Sequence, residues 1–336
     1  MIRRLALLIA LTGGCRAAPL PQAERFPSGT RFAARQVRVD HTSIRYLDAG
    51  EGTPVIFIHG LGASLYAWRE NLDAVATAGF RVVAYDNRGF GSSDKPAHGY
   101  TNAEYARLLI ALMDTLRISD AVLVGHSMGG AIAAETAIRY PERVRGLALI
   151  GSAGLGIREP TLFRVARWPV VGPVLLWFRG RGLVERLLKS TYADPSKVTD
   201  ADVDQYYAPV ADPASGRALR GVLREFRLDG LTGRLDRIEA PALVLWGEAD
   251  RWVPIALGRA LAAQLVRSAF LSVPRAGHAV QEEAPAEVNR LLIKFLKEGL
   301  PRIPENLAWS TGWRAGAQDI DFLNHLVDDY IPCDLS

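Results

Sequence analysis

The feature that most limits what this chain can fold into is Gly125-His126-Ser127-Met128-Gly129, which follows the apolar run Val122 to Gly125 and opens the amphipathic stretch Gly129 to Tyr140. A serine placed between a β-run and a helix sits on a sharp strand-to-helix turn, where its backbone is strained and the helix passes close to the strand. Such a turn needs small neighbours, and Gly125, Gly129 and Gly130 supply them. The helix N-terminus then aims its unbonded amides at the same point, where negative charge developing on an oxygen would be stabilised.

The rest of the chain is patterned to hold that turn. Val37 to Asp40 and Ile44 to Leu47 read as two strands, followed by the apolar runs Val55 to Ile58, Val82 to Tyr85, Val122 to Gly125, Leu147 to Ile150, Leu243 to Trp246 and Phe270 to Val273. Continuous apolar runs of this length are what strands covered by helices on both faces look like. Between them lie helical patterns such as Ala103 to Leu116, with Ala106, Leu109, Ile110 and Met113 on one face. The expected fold is therefore α/β: an eight-stranded, mostly parallel sheet entered by an antiparallel hairpin, with helices on both faces. The alternation breaks between about 153 and 236, a segment rich in Arg, Leu, Trp and Tyr that predicts a helical cap inserted after the sixth strand. This divides the chain into a core over 36–152 and 237–300, a cap over 153–236 and an extension over 301–336. In the extension, Ile320, Leu323, Leu326 and Val327 could form one helix face.

The N-terminus reads as a targeting signal. Arg3 and Arg4 precede the apolar run Leu5 to Leu11, which is too short to span a bilayer. Thr12-Gly13-Gly14-Cys15 resembles a bacterial lipoprotein signal, although Leu11 stands four residues before the cysteine where such signals usually have Leu three before. By that resemblance residues 1–14 are removed, Cys15 is lipidated, and residues 15–35, with Pro19, Pro21 and Pro27, tether the domain to a membrane. Arg16 after the cysteine points to an outer-membrane lipoprotein facing the periplasm; without lipidation the protein would be periplasmic or secreted. With only Cys15 and Cys333, a disulfide framework is excluded. Losing Arg3 and Arg4 removes two charges from a net +4, and the remainder is too small and dispersed for nucleic acid.

A serine hydroxyl needs a base within hydrogen-bond reach, itself held in one tautomer by an acid. Of the six histidines, His278, in Pro274-Arg275-Ala276-Gly277-His278, stands just after the last predicted strand, where a loop leaves the carboxyl edge of the sheet. His126 abuts Ser127 but points elsewhere on the turn, and His41, His98 and His325 have no strand-end context. Trp246-Gly247-Glu248-Ala249-Asp250 puts two carboxylates after the seventh strand, and spacing does not separate Glu248 from Asp250. The end of the sixth strand, Gly151-Ser152-Ala153, offers no acid. His59-Gly60-Leu61-Gly62 closes the third strand, so the backbone amides of Leu61 and Met128 are candidates for an oxyanion hole. Nothing in the sequence asks for a cofactor or a metal.

Together with Asp86-Asn87-Arg88-Gly89-Phe90-Gly91-Ser92-Ser93, these landmarks make the chain resemble the α/β-hydrolase family, in its capped serine branch, over about 37 to 300. The resemblance implies Ser127 as nucleophile, Asp250 rather than Glu248 as acid, His278 as base, and a structural turn over Asp86 to Ser93. Family members with epoxide hydrolase or dehalogenase activity carry aspartate at the nucleophile, which Ser127 excludes here. Carbon–carbon bond hydrolases of ring-fission products commonly show Asn before the serine and Trp after the histidine, where this chain has His126 and Ala279. The expectation is thus a carboxylic ester hydrolase for a small apolar ester or acyl substrate, with carbon–carbon bond hydrolysis as the alternative. Phe163, Trp168, Trp177, Phe178, Tyr206 and Tyr207 of the cap are candidate lining of an acyl pocket or simple core. An exported lipoprotein kept only for binding would be expected to lose one of the three chemical residues, and all are present.

Overall fold

The computed structural model describes residues 33–156 and 180–300 together with Trp168. The signal, Cys15, most of the tether, Phe163, Trp177, Phe178 and the 301–336 extension lie outside the described residues. The chain opens with the hairpin β1 (Arg35–Val39) and β2 (Thr42–Ala49), then alternates through β3 (Pro54–Ile58), α1 (Leu72–Thr77), β4 (Arg81–Tyr85), α2 (Asn102–Thr115), β5 (Ala121–His126), α3 (Met128–Arg139) and β6 (Val144–Ile150). Helices α4 (Arg181–Ser190), α5 (Asp200–Ala211) and α6 (Ser215–Glu225) form the described part of the cap. The core resumes with β7 (Ala242–Gly247), α7 (Ile255–Gln264), β8 (Ser268–Val273), α8 (Val280–Glu283) and α9 (Pro285–Glu298).

The eight strands form one sheet in the order β1-β2-β4-β3-β5-β6-β7-β8, antiparallel at β1/β2 and β2/β4 and parallel thereafter. Alternate residues of each inner strand enter opposite layers. Leu123 packs with Leu109 and Ile132 in one apolar cluster, while Val122 and Val124 pack with Leu72 and Leu292 in the other. Both faces are dry, which is why these strands read as unbroken apolar runs. The first strand begins at Arg35, inside the segment expected to be tether. Its opening residues are exposed and polar, but their backbones pair Arg35 with Tyr46 and Gln36 with Arg45, so pairing rather than burial defines the strand.

The turn after β4 fixes the neighbouring loop. Asp86 is fully buried and accepts the Leu65 amide on Oδ1 at 2.8 Å and the Ser92 amide on Oδ2 at 2.7 Å, with the Arg45 guanidinium 3.7 Å away. The expectation of a structural turn over Asp86 to Ser93 holds, since its carboxylate stitches that turn to the 60–65 loop beside Ser127. Replacing it leaves Arg45 charged and buried with no other ion pair among the described residues. Asp86→Ala is expected to lower the unfolding free energy by about 3–5 kcal/mol. Denaturant titration checks this, and a loss below about 1 kcal/mol would mean that the turn holds without its carboxylate.

Candidate active site

Ser127 occupies the junction between β5 and α3 with φ 52° and ψ −117°, a conformation rarely adopted by a side-chain-bearing residue. Its backbone is pinned on both sides: its N–H donates to Ile150 O at 2.9 Å, and its carbonyl accepts Gly130 N and Ala153 N, each at 3.0 Å. A Cβ on Gly129 would collide with the Ile58 carbonyl, so the helix can start here only with glycine at that position. The side chain of Ser127 remains partly exposed on a buried frame.

His278 lies on the loop after β8, buried, with Nδ1 2.8 Å from Asp250 Oδ2. Because a carboxylate only accepts, Nδ1 carries a proton, and in the neutral ring this tautomer leaves the lone pair on Nε2. The other oxygen, Asp250 Oδ1, accepts the Trp252 and Val253 amides at 2.8 Å each, which orients the carboxylate toward the ring. Glu248 turns away and accepts the Ser272 hydroxyl at 2.8 Å. Of the two carboxylates that spacing left open, Asp250 is the one at the histidine. The carboxyl end of β6 links the two halves of the site: Ile150 holds Ser127, and a Cβ on the next residue, Gly151, would stand 3.3 Å from His278 Nδ1.

His126 corrects one expectation. It does not point away from the chemistry: its Nε2 donates to the His278 carbonyl at 3.0 Å and its ring lies 4.8 Å, centroid to centroid, from the His278 ring. The Trp252 ring also stacks on His278, at 6.2 Å and 16°. His278 is thus in contact with two rings, and no periodicity in the sequence signals either contact. Burial, and secondarily the neighbouring His278, hold the His126 pKa well below the ordinary imidazole value, so the ring is neutral.

The 59–62 turn closes over the serine from the other side. His59 Nδ1 donates to Gly60 O at 2.8 Å, and His59 Nε2 accepts the Asn87 amide at 2.9 Å; burial lowers its pKa as well. A Cβ on Gly60 would lie 3.1 Å from Ser127 Cβ, which places the Leu61 segment against the elbow. Among the described residues, neither the Leu61 N–H nor the Met128 N–H donates to a backbone carbonyl. The two amides expected to receive an oxyanion therefore remain available to one.

The cap meets the core through apolar contacts, such as Phe226 on Tyr105 and Val203 with Ala279, and through a buried polar network. Arg69, beyond the 3-10 turn Leu65–Trp68, pairs with Asp202 of α5 at 2.8 Å and with Glu282 of α8 at 2.5 Å. Tyr66 donates to Asp202 at 2.8 Å and Tyr206 to Glu282 at 2.6 Å. Tyr206, one of the candidate pocket aromatics, thus spends its hydroxyl on this network, and Trp168 is 59% exposed. Tyr207 is buried.

With fold and geometry in view, residues 53–285 match the model of the α/β-hydrolase fold family, and the chain belongs to that family. It is 35% identical over 266 residues to the 2-hydroxy-6-oxononadienedioate/2-hydroxy-6-oxononatrienedioate hydrolase of Comamonas testosteroni, covering 75% of this chain and 90% of that one. Among solved structures, it resembles the meta-cleavage product hydrolase from Pseudomonas fluorescens IP01, with TM-score 0.69 and 29% identity over 79% of this chain and 97% of that chain. It also resembles a membrane phospholipase A described as a bacterial virulence factor, with TM-score 0.65 and 29% identity over 79% of this chain and 86% of that chain. The protein is a hydrolase of this fold.

The two buried imidazoles give the fold an acid sensitivity of known sign. Their folded pKa values lie below the ordinary 6.5, so in the unfolded chain they bind protons at a higher pH than in the folded one. Their contribution is complete above about pH 6.5 and is lost as the pH falls, by up to about 1.4 kcal/mol per pH unit for each ring. Urea midpoints between pH 8 and 5 should therefore fall toward acid, and His126→Gln should flatten that fall. Equal slopes in the two proteins would contradict the assignment.

Proposed function

We propose that this is a serine hydrolase in which Ser127 is the nucleophile, His278 the general base and acid, Asp250 the group that orients the imidazole, and the Leu61 and Met128 amides the oxyanion hole. The observation that carries the reading is the His278–Asp250 pair at 2.8 Å beside a serine held at φ 52° on the elbow. His278 Nε2 takes the Ser127 proton as Oγ attacks a carbonyl carbon, and the new oxyanion faces two amides. His278 then returns the proton to the leaving group. Water repeats the sequence on the acyl-enzyme and frees Ser127.

The reaction class best supported is cleavage of a carbon–carbon bond in a 2-hydroxy-6-oxo-dienoic acid, the reading that sequence reasoning held as the alternative to ester hydrolysis. Its support is the 35% identity to a hydrolase of such compounds over 90% of that enzyme's length. Such a substrate first tautomerises, its 2-hydroxyl proton moving to the carbon beside the 6-ketone, and in that keto form the bond next to the attacked ketone breaks. Its electron pair enters the conjugated keto acid fragment, which receives the proton from His278. Ester cleavage uses the same groups with an alkoxide as leaving group. It keeps support as a second reading from His126 and Ala279, which stand where ring-fission hydrolases commonly carry Asn and Trp, and from the likeness to the phospholipase.

Purified enzyme compared on a 2-hydroxy-6-oxo-dienoate and on aryl esters of medium chain length decides between the two. A kcat/KM advantage of about 100-fold or more for the dienoate is expected, equivalent to roughly 2.7 kcal/mol of differential transition-state binding. An advantage of that size for the esters would install the second reading. On either substrate Ser127→Ala should lower kcat by roughly 10⁴-fold or more. A variant that keeps wild-type turnover would remove Ser127 from the mechanism.

A further inference from the structure

Glu283 is a buried carboxylate that the proposed chemistry does not use. Its Oε2 accepts the Gly277 amide at 2.6 Å and the Ala193 amide at 3.0 Å, and its Oε1 accepts the Asp194 amide at 2.8 Å. Gly277 immediately precedes His278, whereas Ala193 and Asp194 belong to the cap, just beyond α4. One side chain therefore ties the loop that carries the base to the inserted segment that covers the sheet. A buried carboxylate is costly to desolvate, and three N–H donors aimed at it offset that cost only while both backbones stay in place.

Neighbouring contacts reinforce the same seam. Ala279 N donates to Thr191 O at 3.0 Å, so the cap backbone grips the base loop on both sides of His278. A Cβ on Gly277 would stand 2.6 Å from Ala193 N and Thr191 O, so loop and cap pack backbone to backbone. Trp252, stacked on the His278 ring, donates its indole N–H to Ser190 O at 3.2 Å. The cap residues 190–194 thus touch the residue before the base, the residue after it and the ring stacked on it.

We propose that Glu283 is a positioning residue that clips the cap to the loop bearing His278, so that seating the cap and aligning the base are one event. The proposal rests on His278 being the base for Ser127. Without the carboxylate, the Gly277, Ala193 and Asp194 amides lose their shared acceptor and His278 can move relative to Ser127 while each segment keeps its fold. Glutamine keeps one oxygen, enough for Gly277 and Ala193, but turns an NH₂ toward the Asp194 amide. It is expected to rescue in part what alanine loses.

The test reads the rate at which a small alkyl fluorophosphonate modifies Ser127, since that step needs the aligned base but no contacts from a large substrate to the cap. In Glu283→Ala the rate is expected to drop about 100-fold, the effect of displacing a reacting group by roughly an ångström, with Glu283→Gln in between. Turnover should show the same fall in kcat with KM changed less than about threefold. In a His278→Ala background, removing Glu283 should change the residual labelling rate by less than about threefold, because the two act as one unit. Thermal melts establish that each variant is folded, and Glu283→Gln serves should the alanine variant fail. A folded variant labelled at the wild-type rate, or one equally slowed with and without His278, overturns the clip while leaving the triad intact. A wild type that the probe does not label overturns the triad reading and the clip with it.

Discussion

Ser127 keeps a positive φ because hydrogen bonds on both sides leave its backbone no alternative. Its N–H is spent on Ile150 and its carbonyl on Gly130 and Ala153, at 2.9 to 3.0 Å. A residue in such a conformation costs about 1–3 kcal/mol, so the surrounding structure must over-determine it. Here β5, β6 and α3 do so together: β5 leads into the serine, β6 holds it from the side, and α3 starts from its carbonyl. Every other group in the site is placed relative to that fixed point. The 59–62 turn abuts Ser127 Cβ through Gly60, and β6 continues into Gly151 beneath the His278 ring.

Much of this was legible in the sequence because it is written in local pattern. All eight strands, the antiparallel entry and the insertion after β6 follow from apolar runs and their interruption. The elbow follows from glycines around a serine between strand and helix. What escaped was written only in three dimensions. The polar opening of β1 carries no apolar signal, since it is defined by backbone pairing with β2. Glu248 and Asp250 are two residues apart on one loop, so spacing left both open and only the resemblance pointed to Asp250; in the fold the first turns out to Ser272 while the second turns in to His278. His126 looked like a bystander because adjacency in sequence to Ser127 said nothing of a hydrogen bond to a carbonyl 152 residues further along the chain.

The cap shows the same limit more strongly. Its aromatics read as pocket lining or simple core, yet Tyr206 joins a buried network in which Arg69 faces both Asp202 and Glu282. Glu282 and Glu283 follow His278 closely on α8, and the two carboxylates face different partners: one meets a core arginine and a cap tyrosine, the other the backbone of cap and base loop. A short helix next to His278 thereby contributes part of the polar attachment between the two parts of the molecule, beside contacts such as Glu225 on the Gly99 and Tyr100 amides and Arg234 on Glu135. The loop that bears the imidazole, whose ring Asp250 orients, is tied to the cap through this stretch of chain.

The central claim is that Ser127, the His278–Asp250 pair and the amides of Leu61 and Met128 converge on one reacting atom. A crystal structure of the protein after treatment with an organophosphonate tests it most directly, because the tetrahedral adduct stands in for the intermediate of carbonyl attack. Phosphorus is expected on Ser127 Oγ, with one phosphonyl oxygen within about 3.1 Å of both the Leu61 and Met128 nitrogens. His278 Nε2 is expected to face the adduct while Nδ1 stays on Asp250. An adduct on another residue, or a phosphonyl oxygen turned away from both amides, would contradict it.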